Sequence, residues 1–210
     1  FTGQFRVEEF RLPVLEGRIT PVEKKALVNV KAVPVDVQIN YVSGGGANNL
    51  PVRVSALVRG KYLNYADFSE FNFQAPRGTR DNRSEGEEEP DATADARVIA
   101  DKLPLTLDKN GAGKVTVDKI PASRQPQDLL LEATYSDPNG EVQTIRSTHT
   151  LWPAAVVAGI KTEGWVSSSQ KIKFQALALD LGGKPQANVA LEVKATARIV
   201  PATRTRMVGG

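Results

Sequence analysis

Few side chains of this sequence could act in catalysis or bind a metal. His149 is the only histidine, and the 210 residues include no cysteine. A Ser–His–acid triad would therefore depend on His149 as its base, and thiolate and multi-histidine metal sites are excluded. His149 lies in the strand-like run 147–150, with acidic residues distant in the sequence. We interpret it as a surface or interface residue, and we predict that the chain is not an enzyme and has no cofactor.

Two glycine-rich segments resemble ligand-binding loops only in part. Residues 108–113 (Asp-Lys-Asn-Gly-Ala-Gly) begin like a calcium loop, but the twelfth position is Lys119 where an EF-hand has a bidentate glutamate. The glycines at 44–46 lack the Gly-Lys-Ser/Thr ending of a phosphate loop. We interpret both segments as turns.

One long segment is polar, charged and almost free of apolar residues. It spans residues 75–97 and contains Arg77, Arg80 and Arg83. Such a composition cannot bury enough apolar surface to offset its ordering entropy, so we expect a disordered loop. It is either a solvated insertion with no role, which is the default, or a protease-accessible site that uses the three arginines.

Elsewhere, alternation of apolar and polar residues predicts β-strands. It is clearest over residues 33–41, 52–58 and 129–135, and the turn sequence Asp137-Pro138-Asn139-Gly140 predicts a hairpin. We expect six or seven strands between about residues 14 and 151. The fold class is therefore all-β, and an antiparallel β-sandwich is the natural packing for these strands.

A strand–turn–strand pattern occurs twice, 139 residues apart. We interpret the copies, over residues 37–54 and 174–193, as similar hairpins in tandem β modules. Trp152, just before Pro153, would lie at a junction between modules and fix their angle, or would be part of a core. Since the chain has no initiator methionine, we expect it to be a fragment of a longer protein.

The bulk composition excludes several classes of protein. The net charge of +3 comes from 27 basic and 24 acidic residues that are well mixed, so nucleic-acid binding is not indicated. No apolar run approaches the roughly 20 residues that a membrane-spanning helix needs. Any membrane attachment would use an anchor outside these residues.

Several motifs, in this order, resemble the bacterial alpha-2-macroglobulin family. The run 5–13 (Phe-Arg-Val-Glu-Glu-Phe-Arg-Leu-Pro) is similar to the exit strand of a macroglobulin-like domain, and 137–144 with Leu151-Trp152-Pro153 is similar to the final hairpin of one. Residues 157–160, 180–185 and 206–210 fit a following domain. The resemblance divides the chain into a last strand (1–13), a complete macroglobulin-like sandwich, related to immunoglobulin and fibronectin modules (14–153), and the start of a further, truncated one (154–210).

The resemblance implies a scaffold role in protease trapping or inhibition and host-defence protection. Partners would be proteases or other periplasmic and cell-envelope proteins, and the longer protein would be periplasmic, anchored to the inner membrane. The family's thioester needs a cysteine, so none lies in this chain. The alternative is an immunoglobulin-like adhesion or carbohydrate-binding module that uses the dense aromatic group Tyr62, Tyr65, Phe68, Phe71 and Phe73. The interpretation that we favour for that group is a core strand and its loop.

Overall fold

Nearly all regular structure in this chain is β-strand. A computed structural model describes residues 14–74, 96–163 and 173–195. The strands are β1 (Leu15–Pro21), β2 (Leu27–Val28), β3 (Val33–Tyr41), β4 (Pro51–Gly60), β5 (Arg97–Thr106), β6 (Ala112–Val117), β7 (Gln127–Ser136), β8 (Val142–Trp152), β9 (Val156–Thr162) and β10 (Phe174–Asp180). A single 3-10 turn, Ala66–Phe68, interrupts them within these ranges. None of the described residues form a helix with the length and hydropathy that a membrane crossing requires.

Two sheets form a sandwich, which confirms the predicted fold class. In the first sheet β3 lies between β1 and β6, antiparallel to both. The second sheet has the order β2-β8-β7-β4-β5, with β2 parallel to β8 and the other neighbours antiparallel. The predicted hairpin at residues 137–140 is present, because Ser136 pairs with Val142.

The alternating apolar residues of the two sheets meet in one core. Val35, Val37 and Ile39 of β3 are buried, as are Val54 of β4 and Leu131 of β7. Each such side chain contributes about 1.5–3 kcal/mol relative to an exposed position. The period-two pattern read from the sequence therefore identifies the inward faces correctly.

The prediction that residues 37–54 form a hairpin is wrong. β3 pairs with β1 and β6, whereas β4 pairs with β5 and β7, so the turn between β3 and β4 crosses from one sheet to the other. The same holds for β5 and β6, on either side of the turn at 108–113. Glycine-rich turns reverse the chain, but they do not determine whether the next strand joins the same sheet.

The second predicted hairpin is also wrong. β10 pairs with β9, and among the described residues after the turn only Pro185 forms a bridge, with Leu179. Residues 189–193 are not a strand. The strand–turn unit itself is nevertheless repeated, since three backbone hydrogen bonds recur at a spacing of 139 residues. The N–H of Tyr41 bonds to the C=O of Gly45 (2.9 Å), as Asp180 does to Lys184 (2.8 Å). The N–H of Gly44 bonds to the C=O of Tyr41 (2.9 Å), as Gly183 does to Asp180 (3.0 Å). The N–H of Ala47 bonds to the C=O of Ile39 (2.9 Å), as Gln186 does to Ala178 (2.9 Å).

The structure tests only some of the segment boundaries that the sequence predicts. Arg97 already belongs to β5, so the charged segment expected at 75–97 stops before it. Residues 1–13 lie outside the described residues, and the division of the chain at 13 and 153 stays a prediction.

Candidate functional site

The three arginines proposed as a protease-accessible site lie outside the described residues. Arg77, Arg80 and Arg83 fall between Gln74 and Ala96, where the described ranges have a gap. Their role stays a prediction.

His149 lies on β8 beside a serine of the same strand. Its Nε2 is 3.0 Å from the Ser147 Oγ, and burial lowers the pKa of the imidazole from its ordinary value. The backbone partners of His149 and Ser147 across the sheet are Leu129 and Leu131, so β7 places leucines next to the pair where a triad would need a carboxylate. The geometry fits a half-buried structural histidine.

The aspartates of three turns use their carboxylates to close the turn. Asp108 Oδ1 accepts the N–H groups of Asn110 (2.8 Å) and Ala112 (2.9 Å). Asp137 and Asp180 make the same pair of bonds, to the residues two and four positions later. Among the described residues, no three His, Cys, Asp or Glu side chains group to hold a metal ion. The interpretation of 108–113 as a turn fits this geometry.

The aromatic residues form a junction between two parts of the molecule. Residues 61–74, called here the aromatic segment, leave the end of β4 and cross onto the β9–β10 pair. Leu63 and Phe73 are buried there with Val157 of β9 and Leu179 of β10, in a hydrophobic cluster separate from the sandwich core. The expectation of a core strand is therefore wrong, because the aromatic segment contains no strand. Of the five aromatic side chains only Tyr62, which is 77% exposed, lies in solvent.

The far end of the aromatic segment is held to β9 by backbone bonds and close packing. Asn72 donates its N–H to the carbonyl of Ile160 (2.8 Å) and accepts the N–H of Ile160 (3.0 Å). Phe73 packs directly on Gly159, where an added Cβ would lie 2.5 Å from the Phe73 Cε1. Glu70 pairs with Lys161 at the rim. The segment thus forms an isolated antiparallel β-bridge with β9 at Asn72, and the Phe73 ring occupies the space that the missing side chain of Gly159 leaves.

The middle of the aromatic segment rests on the turn after β10. The Tyr65 and Phe73 rings meet edge to face, with centroids 4.9 Å apart, a favoured aromatic geometry. An added Cβ at Gly183 would lie 2.8 Å from the Tyr65 Cδ1. Burial first, and the charge of Asp180 second, raise the pKa of Tyr65. Its hydroxyl is buried with no hydrogen-bond partner in the described part of the chain.

The near end of the aromatic segment is fixed to the sandwich. Lys61 donates its backbone N–H to the Pro126 carbonyl (3.0 Å), and its ammonium lies 2.8 Å from the Asp128 carboxylate at the start of β7. Trp152, at the end of β8, is half-buried and packs against the second cluster. The segment is therefore fixed to the second sheet of the sandwich at one end and to β9 at the other.

Sequence reasoning missed the two glycines that receive the aromatic rings. Gly159 interrupts an apolar strand pattern, and such a glycine often marks a close approach of another segment. Gly183 has a φ of +85°, and in the sequence it is part of a glycine pair that indicates a turn. Neither signal says which ring would fill the space.

Comparison with known proteins identifies solved structures that share this fold. No protein-family model and no curated protein matches the sequence. Among the solved structures that share the fold are two bacterial alpha-2-macroglobulins. One is alpha-2-macroglobulin from Salmonella reacted with methylamine, with 20% identity over 85% of this chain and a TM-score of 0.59. The other is the native conformation of alpha-2-macroglobulin from E. coli, with 20% identity over 87% of this chain and a TM-score of 0.61.

The chain spans 12% of the length of each of these proteins. The fold is thus that of a macroglobulin-like segment, and the resemblance to bacterial alpha-2-macroglobulins that the sequence predicted is confirmed at the level of the fold.

Proposed function

We propose that this chain is a scaffold segment of a larger bacterial alpha-2-macroglobulin-like protein that traps or inhibits proteases. The observation that carries the proposal is the fold likeness over 85% and 87% of the chain to two such proteins, of which it matches only 12%. The larger protein would be periplasmic and attached to the inner membrane by an anchor outside these residues.

The junction supports a structural role. A scaffold needs its β units held at a fixed angle, whereas units joined by a small polar contact move independently. Here the aromatic segment is fixed to β7 through Lys61 and to β9 through Asn72, and its rings pack on one another and on the β9–β10 pair. Such packing transmits a displacement of one unit to the other because close-packed interiors are not continuously deformable.

Proteases and other cell-envelope proteins are the proposed partners. Contacts with them would use loops and strand edges, which are the usual binding elements of β scaffolds. The chain itself would supply position and would carry no catalytic residue.

The test is limited proteolysis of the full-length protein with several proteases. The cut sites are mapped by mass spectrometry, and protease activity is followed on a large protein substrate and on a small peptide substrate. We expect cleavage at one exposed segment, after which the protease loses the large substrate and keeps the small one. An active-site-blocked protease is the control, and it should leave the protein unchanged.

Trimming of the protein while the protease keeps full activity on both substrates would contradict the trapping proposal. The position of the cut would also show whether Arg77, Arg80 or Arg83 is used.

A further inference from the structure

Two turns of this chain contain the dipeptide Asn-Gly, in which asparagine is especially prone to lose its side-chain amide. They are Asn110-Gly111, between β5 and β6, and Asn139-Gly140, between β7 and β8. The backbone nitrogen of the glycine attacks the side-chain carbonyl of the asparagine, and glycine favours this step because its backbone is free to rotate and has no Cβ in the way. Both sites have the same chemistry, so their surroundings decide how fast each one reacts.

The hydrogen bonds inside the two turns are the same. Gly111 and Gly140 each donate an N–H to the backbone carbonyl of the aspartate three positions earlier, over 3.0 and 2.9 Å. The Oδ1 of that aspartate, Asp108 or Asp137, accepts the N–H of the asparagine at 2.8 and 2.9 Å. In each turn the attacking nitrogen must therefore first leave one hydrogen bond, and the local bonds do not distinguish the two sites.

Contacts with other parts of the sandwich hold the Asn110-Gly111 turn closed. Gly111 is buried, and its carbonyl accepts the N–H of Ile39 at 2.9 Å. The carbonyl of Asn110 accepts a bond from the Gln38 Nε2 at 2.8 Å. The attacking nitrogen itself is covered, since an added Cβ at Gly46 would lie 2.5 Å from the Gly111 nitrogen. Cyclisation at this site requires these contacts to open.

The Asn139-Gly140 turn has no comparable cover. Pro138, Asn139 and Gly140 are all exposed, and an added Cβ at Gly140 would meet no atom within 4 Å. Local opening costs least where few packing contacts cross the segment that opens. Once the bond from the Gly140 nitrogen to the Asp137 carbonyl is lost, the nitrogen is free to reach the side chain of Asn139.

We propose that Asn139 is a site of spontaneous deamidation in the folded protein and that packing protects Asn110. The Gly140 nitrogen bonds to the Asn139 Cγ, the bond from Cγ to Nδ2 breaks, and the proton of the Gly140 N–H leaves with the amide as ammonia. Water then opens the cyclic imide. Attack of water at Cγ gives aspartate, whereas attack at the backbone carbonyl carbon gives isoaspartate, in which the main chain runs through Cγ. Water is the only co-reactant.

The product would change both the shape and the charge of the β7–β8 hairpin. Isoaspartate lengthens the main chain between Asp137 and Glu141, whose carboxylate and N–H are joined over 2.8 Å. Either product also adds a carboxylate to a turn that already contains these two acidic residues, and it lowers the net charge of +3 by one. The modified chain is therefore separable from the unmodified chain by ion exchange.

Peptide mapping of the aged chain tests the proposal. The folded protein is incubated at mildly alkaline pH and then digested at acidic pH, where cyclisation is slow, and the conversion of amide to acid is followed by mass spectrometry in each Asn-Gly peptide. The same chain in guanidinium chloride gives the two rates in the absence of structure. Isoaspartate is detected by labelling with an isoaspartyl methyltransferase. Asn139→Ser is the control, because it removes the reactive amide from an exposed position.

In denaturant we expect the two sites to react at rates within about threefold of each other, since glycine follows the asparagine in both. In the folded chain we expect Asn139 to stay within about tenfold of its rate in denaturant and Asn110 to react at least about 100-fold more slowly than in denaturant, because only Asn110 must wait for packed contacts to open. Asn139→Ser should lose the acidic ion-exchange species and the methylation signal.

Three results would overturn the proposal. Strong protection of both sites in the folded chain would show that the turn bonds alone prevent the reaction. Equal and fast reaction at both sites would show that packing at Gly111 gives no protection. An acidic species that persists in Asn139→Ser would come from another residue. The inference does not rest on the proposed function, and none of these results bears on protease trapping.

Discussion

Gly46 and Gly111 lie backbone against backbone at one end of the sandwich. An added Cβ at Gly46 would lie 2.1 Å from the Asn110 carbonyl carbon, and one at Gly111 would lie 2.9 Å from the Gly46 Cα. Ile39 ties the two turns together, because it donates its N–H to Gly111 and accepts the N–H of Ala47, each over 2.9 Å. One turn carries the chain from β3 to β4 and the other from β5 to β6, and each passes from one sheet to the other. This contact therefore holds the two connections together at one end of the sandwich.

Gly111→Ala should therefore destabilise the sandwich far more than Gly140→Ala. Both glycines have positive φ, +73° and +83°, but an added Cβ would meet the Ile39 carbonyl oxygen at 2.1 Å at Gly111 and nothing within 4 Å at Gly140. Gly140→Ala should cost about 1–2 kcal/mol for the left-handed backbone alone. Gly111→Ala should cost about 4 kcal/mol or prevent folding, since backbone has to move. Urea unfolding measures both, and equal losses would contradict the role given to the contact.

Asp137→Ala should destabilise the β7–β8 hairpin through its backbone amides. Asp137 is only 7% exposed, and its Oδ1 accepts the N–H groups of Asn139 and Glu141 at 2.9 and 2.8 Å. Removing the acceptor should cost about 1.5–3 kcal/mol, which is the range for hydrogen bonds to a charged group. Asp137→Asn keeps an oxygen at the same place and should lose less than half as much. Thermal and urea unfolding measure the difference, and equal losses for the two variants would show that the charge matters and not the turn bonds.

Strand positions in the sandwich could be read from the sequence, whereas their partners, apart from those of the β7–β8 hairpin, could not. Burial on one face imposes period-two alternation on the local sequence, and Val33, Val35, Val37 and Ile39 show it. Pairing is a non-local property. The crossover from β3 to β4 depends on contacts of Gly46 with a turn that follows 65 positions later in the sequence, and no local pattern records that contact.

The junction was less predictable than the sandwich for the same reason. Trp152 was recognised as a residue that could fix an angle, and it does pack on the second cluster. The residues that receive the aromatic rings are glycines, whose function here is to leave space. The sequence shows that Gly159 and Gly183 have no side chain, but it does not show that Phe73 and Tyr65 occupy the space beside them.

His149 should give the folded protein a specific dependence on pH. Burial lowers the pKa of the imidazole below its ordinary value, which is about 6.5, so the unfolded chain binds the proton more readily. The stability that depends on a neutral His149 is complete above pH about 6.5 and is lost as the pH falls from 6.5 to the folded-state pKa. Below that pKa both states bind the proton, so the free energy of unfolding no longer changes with pH through His149. The difference in unfolding free energy between wild type and His149→Gln should follow this course.

An NMR titration can check the pKa directly, because His149 is the only histidine. A midpoint above 6.5 would contradict the assignment of burial as the dominant cause.

Tyr65→Phe should leave the junction intact or strengthen it. The Tyr65 hydroxyl is buried without a hydrogen-bond partner in the described residues, while the ring packs on Phe73 and Gly183. An unsatisfied buried hydroxyl costs about 1–3 kcal/mol, so its removal should stabilise the protein by about 1 kcal/mol. Tyr65→Ala removes the ring as well and should cost about 2–3 kcal/mol. Hydrogen exchange of the β9 and β10 amides would report both changes, and a loss of protection in Tyr65→Phe would show that the hydroxyl has a partner.

Asn72→Pro should release the β9–β10 pair from the sandwich without unfolding the sandwich. Proline has no N–H, so the bond from Asn72 to the Ile160 carbonyl is lost, and the proline ring would lie in the place of that N–H, against the Ile160 carbonyl. Gly159→Leu should disrupt the same contact through β9, because the leucine side chain would occupy the space filled by Phe73. Asn72→Ala is the matched control, because it keeps both backbone bonds.

Spin labels measure the distance between the two units. They would be attached at Asp101→Cys in the sandwich and Gln175→Cys in β10, both of which are exposed positions.

We expect one narrow distance distribution in the wild type and in Asn72→Ala, and a distribution at least about twofold wider in Asn72→Pro and Gly159→Leu. The free energy of unfolding of the sandwich, measured in urea, should stay the same within about 0.5 kcal/mol, because its core is a separate cluster. A wide distribution in the wild type would mean that the aromatic segment does not hold the two units, and the scaffold role would then lose its structural basis. If the variants keep the narrow distribution, the angle between the units is set by the chain around Trp152 and Pro153, and the aromatic segment follows that angle without determining it.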